Sequence, residues 1–227
     1  MSQISRTARQ NLHGEEYISR LDSRKQVVRV KRLMNLIELP HTAIVLDVGC
    51  GTGLLAHLLN GRYDTYFGID FSEPMIQAAR QRTEKAGLPK CNFICGDALD
   101  IMDNHPKEFD AIFLLDISEH VPDLEWKAIV DATHKALKTG GKVYLHTPNL
   151  DFFAERLKHH GWIKQFPEHI SVRNEKDNIR FFEATGFSKI TTRTLPHYNI
   201  LRYLHPLSQL PCIGRYFASR LWLVAEK

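Results

Sequence analysis

The chain has 227 residues, 43% hydrophobic and 25% charged, with a formal net charge of +4. That is ordinary composition for a globular protein and room for one sizeable α/β domain, or at most a domain with a cap. No apolar run approaches the ~18 residues of a spanning helix, and the polar start, Met1 to Leu12, has no signal-peptide core, so a cytoplasmic protein is expected. The four cysteines, Cys50, Cys91, Cys95 and Cys212, have no metal-site spacing and are expected to be reduced, mostly buried thiols. The basic excess gathers at the two ends. Residues 189–227 carry Lys189, Arg193, Arg202, Arg215, Arg220 and Lys227 against Glu226 alone. Such ends are either solvated faces or attractors for an acidic substrate, a nucleic acid or a membrane surface.

Residues 15–38 read as one or two helices, with Tyr17, Ile18 and Leu21 on one apolar face and Val27, Val30, Leu33, Met34 and Ile37 on another, ended by Pro40. Val45 to Val48 is then a buried strand that runs into Gly49-Cys50-Gly51-Thr52-Gly53 and at once into a helical pattern through Leu59. Glycines at alternate positions let a backbone approach a ligand, and a helix start offers unpaired N–H groups. The spacing is neither the dinucleotide fingerprint nor a phosphate loop. Taken alone, it is also compatible with a tight turn that holds nothing.

The pattern recurs. Asp64 to Asp70 is a second strand ending in an acid. Ser72-Glu73-Pro74, with Ser72 as a side-chain cap, starts a helix that Gly87 stops. Cys91 to Cys95 leads into Gly96-Asp97-Ala98, and Phe109 to Leu115 into Asp116. In a doubly wound sheet these acids share one edge, where Asp70 can accept from a ribose diol and Asp97 lies near an adenine amino group.

Leu46–Gly53, Gly68–Asp70, Gly96–Asp97 and Phe109–Asp116 resemble the successive motifs of class I S-adenosylmethionine (SAM) dependent methyltransferases, a likeness that extends over roughly residues 43–227. The resemblance implies a Rossmann-like α/β fold with a seven-stranded mixed sheet in the order 3-2-1-4-5-7-6, its last strand antiparallel. An N-terminal helical cap over residues 1–40 would precede a methyltransferase domain over 41–227, with an acceptor-site insertion at about 150–185. It implies a SAM site made by Asp47, Gly49, Gly51, Asp70, Phe71, Met75, Asp97, Ala98 and Leu115. Arg29, Arg24 or Tyr17 from the cap would reach the methionine carboxylate. For Met75 and the cap residues, plain core and a charged outer face are the alternatives.

The segment after the fourth strand, Asp116-Ile117-Ser118-Glu119-His120, is richest in chemistry. Were it a helical turn, Asp116 and His120 would share a face with Glu119 beside them. Two carboxylates and an imidazole can deprotonate an acceptor hydroxyl, with His120 as base, or hold a divalent ion. D-x-x-E-H is similar to the E-x-x-E-H of the ubiquinone-biosynthesis O-methyltransferases and of small-RNA 2′-O-methyltransferases, in which this cluster holds a metal. Asp116 replaces the first Glu, one methylene shorter. The resemblance thus implies Asp116, Glu119 and His120 as catalytic residues. With His169 they form a candidate set of ligands for Mg or Zn.

Asp123 starts a helix to Leu137, Gly140-Gly141 breaks it, and Lys142 to His146 is a fifth strand before Thr147-Pro148-Asn149, which strengthens the match to the ubiquinone-type branch. Phe152, Phe153, Trp162 and Phe166 are candidates for an apolar acceptor wall. Asn174 starts the next helix, Lys189 to Thr194 is a strand, residues 195–216 are irregular and Arg220 to Glu226 is the last strand. The expected activity is methyl transfer from SAM to a small-molecule hydroxyl such as that of a phenol or catechol. An RNA 2′-O-methyltransferase, a small-molecule N-methyltransferase and a SAM-binding protein without turnover stand as alternatives. The mild overall charge and the lack of an RNA-binding module weigh against a nucleic-acid partner.

Overall fold

The computed structural model describes residues 24–227. Tyr17, the Arg24 side chain and the expected helix start before residue 24 lie outside the described residues. Two compact units divide the chain, one ending at Asn104 and the other spanning His105–Lys227.

The first unit contains α1 (Arg24–Met34), β1 (Ile44–Val48), α2 (Leu54–Leu58), β2 (Thr65–Asp70), α3 (Glu73–Lys85), β3 (Cys91–Cys95) and α4 (Ala98–Asp103). β1 is buried from Val45 to Val48, as a strand covered on both faces must be. It pairs in parallel with β2, and β2 with β3. Gly68 on β2 is required by packing, because a Cβ there would stand 2.6 Å from the Phe93 ring. α1 buries Val30 and Leu33, and the Arg62 guanidinium donates to the carbonyl of its last residue, Met34, and to that of Ile37 beyond it. Ser72 occupies the cap position of α3, but its hydroxyl makes no capping bond. Its backbone N–H donates to Asp70 instead, so the expected side-chain cap is corrected.

The second unit contains β4 (Phe109–Leu115), α5 (Asp123–Ala136), β5 (Leu137–Pro148), α6 (Phe153–His159), α7 (Glu175–Thr185), β6 (Ser188–Leu195) and β7 (Arg220–Glu226). Its core gathers Phe113, Trp126, Tyr144, Phe182 and Trp222, all essentially inaccessible. β4 and β5 are parallel, while β7 runs antiparallel to both β5 and β6. β5 starts earlier than expected. Gly140 and Gly141 do not separate helix from strand but sit inside the strand. There Gly140 takes φ 77°, and a Cβ on Gly141 would lie 2.9 Å from the Lys138 carbonyl. Residues 200–209 and 214–217 form 3-10 turns where irregular chain was expected.

The seven strands follow the order β3-β2-β1-β4-β5-β7-β6, as the resemblance implied. All four cysteines are free, but only Cys50 is buried. Cys91 and Cys95 lie on β3, the edge strand, and Cys95 is exposed with Cys212, so the expectation of mostly buried thiols fails.

Candidate functional site

In the first unit the alternating glycines take left-handed backbone, with φ of 71°, 51° and 69° at Gly49, Gly51 and Gly53. A side chain at these positions would be strained. The Gly49 and Cys50 N–H groups both donate to the Ile69 carbonyl, which fixes the turn against the end of β2. Asp70 completes the link. One of its oxygens accepts from Gly51 N–H at 3.0 Å and the other from Ser72 N–H at 2.9 Å. Burial raises its pKa, and these backbone donors pull it back. Gly96 N–H donates to the Asp70 carbonyl, so the start of the β3–α4 turn lies beside Asp70. The Asp97 carboxylate caps α4, accepting from Leu99 N–H at 2.8 Å, and Ala98 is half-buried behind it. Phe71 is 39% exposed beside this turn.

Other expected members lie deeper. The Asp47 carboxylate is buried and accepts from the Tyr66 hydroxyl at 2.5 Å. Burial pushes its pKa up to about 7. Met75 is a fully buried core side chain, and Arg29 is half-buried on α1. The structure thus brings Gly49, Gly51, Asp70 and Phe71 into one turn cluster with Asp97 nearby, and directs Asp47 and Met75 inward.

In the second unit, Leu115 closes β4 and Asp116 turns into left-handed backbone at φ 54°. Only Ser118–His120 is a helical turn, of the 3-10 kind. The expected helical face shared by Asp116 and His120 is therefore corrected, because the positive φ breaks the periodicity that would align them. Asp116 Oδ1 lies 2.8 Å from His146 Nδ1 and 3.4 Å from Arg220 Nη1.

The ligand group that does form is Glu119, His120 and His169, whose nearest donor atoms all lie within 4.8 Å of one another. Asp116 is not part of it. His120 Nδ1 is 2.8 Å from the Glu168 carbonyl. A carbonyl only accepts, so Nδ1 carries the hydrogen and Nε2 keeps its lone pair. Glu119 is 1% exposed and accepts from the Thr147 hydroxyl, which itself accepts from Ser118. Burial first, then the Asp116 charge, raises the Glu119 pKa to about 7. His169 is pushed down to about 4, by burial and then by His120, and its buried Nδ1 has no hydrogen-bond partner.

Arg173 holds this arrangement together. Its guanidinium donates to the Ser118 carbonyl at 2.6 Å, the Val121 carbonyl at 3.0 Å and Asp123 Oδ1 at 2.7 Å. The Ile170 and Ser171 N–H groups donate to the Glu119 carbonyl, which seats the His169 segment against the turn. Nothing in the sequence signals Arg173, since its partners lie about fifty residues upstream. Thr147 belongs to a segment noticed in the sequence, but its bond to Glu119 was not foreseen.

The donor set suits a divalent ion. It offers a buried carboxylate, a neutral imidazole with an orphaned nitrogen, and a second imidazole fixed in one tautomer by a backbone carbonyl, the outer bond typical of metal-ligating histidines.

Residues 45–141 match a family model described as a methyltransferase domain. Among curated proteins, the chain is 40% identical over 105 residues to the ubiquinone biosynthesis O-methyltransferase of Idiomarina loihiensis, a match covering 46% of this chain and 42% of that protein. It is 38% identical over 105 residues to the protein of the same name from Thiobacillus denitrificans, covering 46% and 44%. The matched stretch spans less than half the length of these relatives. Among solved structures, a SAM-dependent methyltransferase from Archaeoglobus fulgidus aligns with a TM-score of 0.73 at 15% identity, over 93% of this chain and 98% of that one. The Haemonchus contortus phosphoethanolamine N-methyltransferase 2 in complex with SAM gives 0.72 at 17% identity, over 100% and 60%. At these identities the two structures bear on the fold alone.

Proposed function

We propose that this chain is a class I SAM-dependent methyltransferase, the matched stretch being residues 45–141, and that it moves the SAM methyl group to a hydroxyl of a small molecule, with a divalent ion held by Glu119, His120 and His169. The relatives' printed name supports O-methylation. The observation that carries the acceptor side is the convergence of those three donors within 4.8 Å.

On this reading the Gly49–Gly51 turn takes the methionine end of SAM, Asp70 the ribose diol and Asp97 the adenine amino group. Asp70 suits its role because its two oxygens are already aimed by backbone N–H groups and retain lone pairs for a diol. Phe71 and Ala98 would flank the base. In-line methyl transfer depends mainly on positioning. A bound divalent ion would lower the pKa of the acceptor hydroxyl. Glu119 supplies the negative charge of the ligand set, His169 is neutral throughout the physiological range, and the Glu168 carbonyl keeps His120 Nε2 free to coordinate. The 150–185 segment, which brings in His169, is assigned to acceptor recognition.

The test is metal analysis of the purified full chain with calorimetry of Mg²⁺ and Zn²⁺ binding. One ion per chain is expected, lost in Glu119→Gln and His169→Ala. Wild-type protein that takes up neither ion would contradict the metal role.

A further inference from the structure

If Glu119, His120 and His169 are committed as ligands, none of them is left to take the proton that an acceptor hydroxyl gives up. A second polar chain runs through the same unit. His146, near the end of β5, is 0% exposed and pairs across the sheet with Leu115 of β4 and Trp222 of β7. Its Nε2 is 2.6 Å from the Tyr198 hydroxyl. Its Nδ1 is 2.8 Å from Asp116 Oδ1, an approach off the N–H axis. Arg220 stands 3.4 Å from the same carboxylate oxygen and 5.3 Å from the centre of the Tyr198 ring. Tyr198 itself lies after β6, half-buried, at the outer end of this row.

Holding a carboxylate and a guanidinium, 16% and 17% exposed, against a fully buried imidazole costs desolvation that apolar residues of similar volume would avoid. What the row provides is a proton path. Asp116 favours the hydrogen on Nδ1 and strengthens Nε2 as a base, and the Arg220 cation over the phenol ring favours negative charge on the Tyr198 oxygen.

We propose that Tyr198, His146 and Asp116 form the proton relay of the reaction, with the Tyr198 hydroxyl meeting the acceptor. The proposal rests on the methyltransferase reading. As the S–CH₃ bond breaks and the sulfur keeps its electron pair, the O–CH₃ bond forms. The acceptor's proton passes to the Tyr198 oxygen while the Tyr198 proton passes to His146 Nε2. Asp116 faces the resulting imidazolium, with Arg220 the other charge nearby. The proton then leaves to solvent by the reverse route. Asp116 and His146 act through Tyr198 and are positioning residues; Tyr198 is the catalytic one.

The test begins without any acceptor, on the full chain. Imidazole ¹⁵N spectra at neutral pH are expected to show His146 neutral with its hydrogen on Nδ1, and Tyr198→Phe is expected to shift the Nε2 resonance while the fold is retained. A hydrogen on Nε2, or an Nε2 resonance indifferent to Tyr198→Phe, overturns the relay. Turnover of catechol as the acceptor probe is expected to fall at least tenfold in kcat in Tyr198→Phe and His146→Gln, with SAM affinity unchanged and the pH–rate profile displaced in Tyr198→Phe. Wild-type kcat in Tyr198→Phe overturns it. Absence of SAM binding by the wild type removes the methyltransferase reading instead, and the tautomer result then still decides whether Tyr198 donates to His146 Nε2.

Discussion

Replacing Arg173 by methionine takes the donors away from the turn that carries Glu119 and His120. The Ser118 and Val121 carbonyls each lose a charged partner, at 2.6 and 3.0 Å, in a site where Arg173 is 4% exposed. An orphaned buried acceptor costs roughly 1–3 kcal/mol. Asp123 loses little, because its side chain is 73% exposed and water replaces the guanidinium. Methionine keeps much of the apolar contact with Trp126 and Phe181, over whose rings the guanidinium sits at 5.8 and 5.5 Å. The net expectation is a loss of about 3 kcal/mol, roughly 2 for the Val121 carbonyl and roughly 1 for the Ser118 carbonyl, which keeps the Val121 N–H at 3.5 Å. For a chain of this length that lowers Tm by roughly 6–12 °C. Urea unfolding followed by circular dichroism measures it, with the midpoint falling and the slope unchanged. Arg173→Lys should recover less than half, since one ammonium cannot span both carbonyls and Asp123. Arg173→Met within ~1 kcal/mol of wild type, a size ordinary for an incidental side chain, would refute the view that this guanidinium builds the turn.

Asp47 gives a pH signature. Its pKa rises from 3.8 to about 7 on folding because burial disfavours the charged carboxylate. The native state therefore prefers the proton, and this contribution to stability is full below pH 4 and is lost as pH rises through 7. Its ceiling is about 4 kcal/mol, at 1.36 kcal/mol per unit. Asp47→Asn should remove it, so the stability difference between variant and wild type, measured by denaturant unfolding, should swing in the variant's favour between pH 4 and 8; a flat difference refutes the assignment. Gly68→Ala would place a Cβ 2.6 Å from the Phe93 ring and 2.9 Å from Cys50 Sγ, so thermal unfolding should show a cost of roughly 1–3 kcal/mol, and an unchanged Tm would contradict that packing.

The strands were legible because strand, turn and acid repeat at local spacing, and each repeat needs only neighbours in sequence to form; their order was legible only through the resemblance to the methyltransferase motifs. The glycine turn was legible for the same reason, since left-handed backbone at alternate positions demands glycine. The acceptor-side chemistry was only half legible. Glu119, His120 and His169 were named and do converge, but Asp116 was placed among them by assuming a continuous helical turn. Its φ of 54° directs it to His146 and Arg220, and one sequence does not betray a positive φ at an aspartate. Arg173 and Tyr198 were missed because each acts on a residue about fifty positions away, Arg173 on the Ser118 turn and Tyr198 on His146 of β5, through contacts that exist only once the chain is folded. Asp47 was read as a cofactor group from its place beside the glycines, whereas the structure gives its carboxylate to Tyr66 across the β1–β2 pair.

The central claim is that the glycine turn and Asp70 bind SAM, and titration calorimetry of SAM into the wild type and Asp70→Ala tests it most directly. One SAM per wild-type chain is expected, and at least tenfold weaker binding in the variant, which loses the ribose acceptor and the carboxylate that orders Gly51 and Ser72. Folded wild-type protein that binds no SAM, or Asp70→Ala binding it as tightly as wild type, would contradict it.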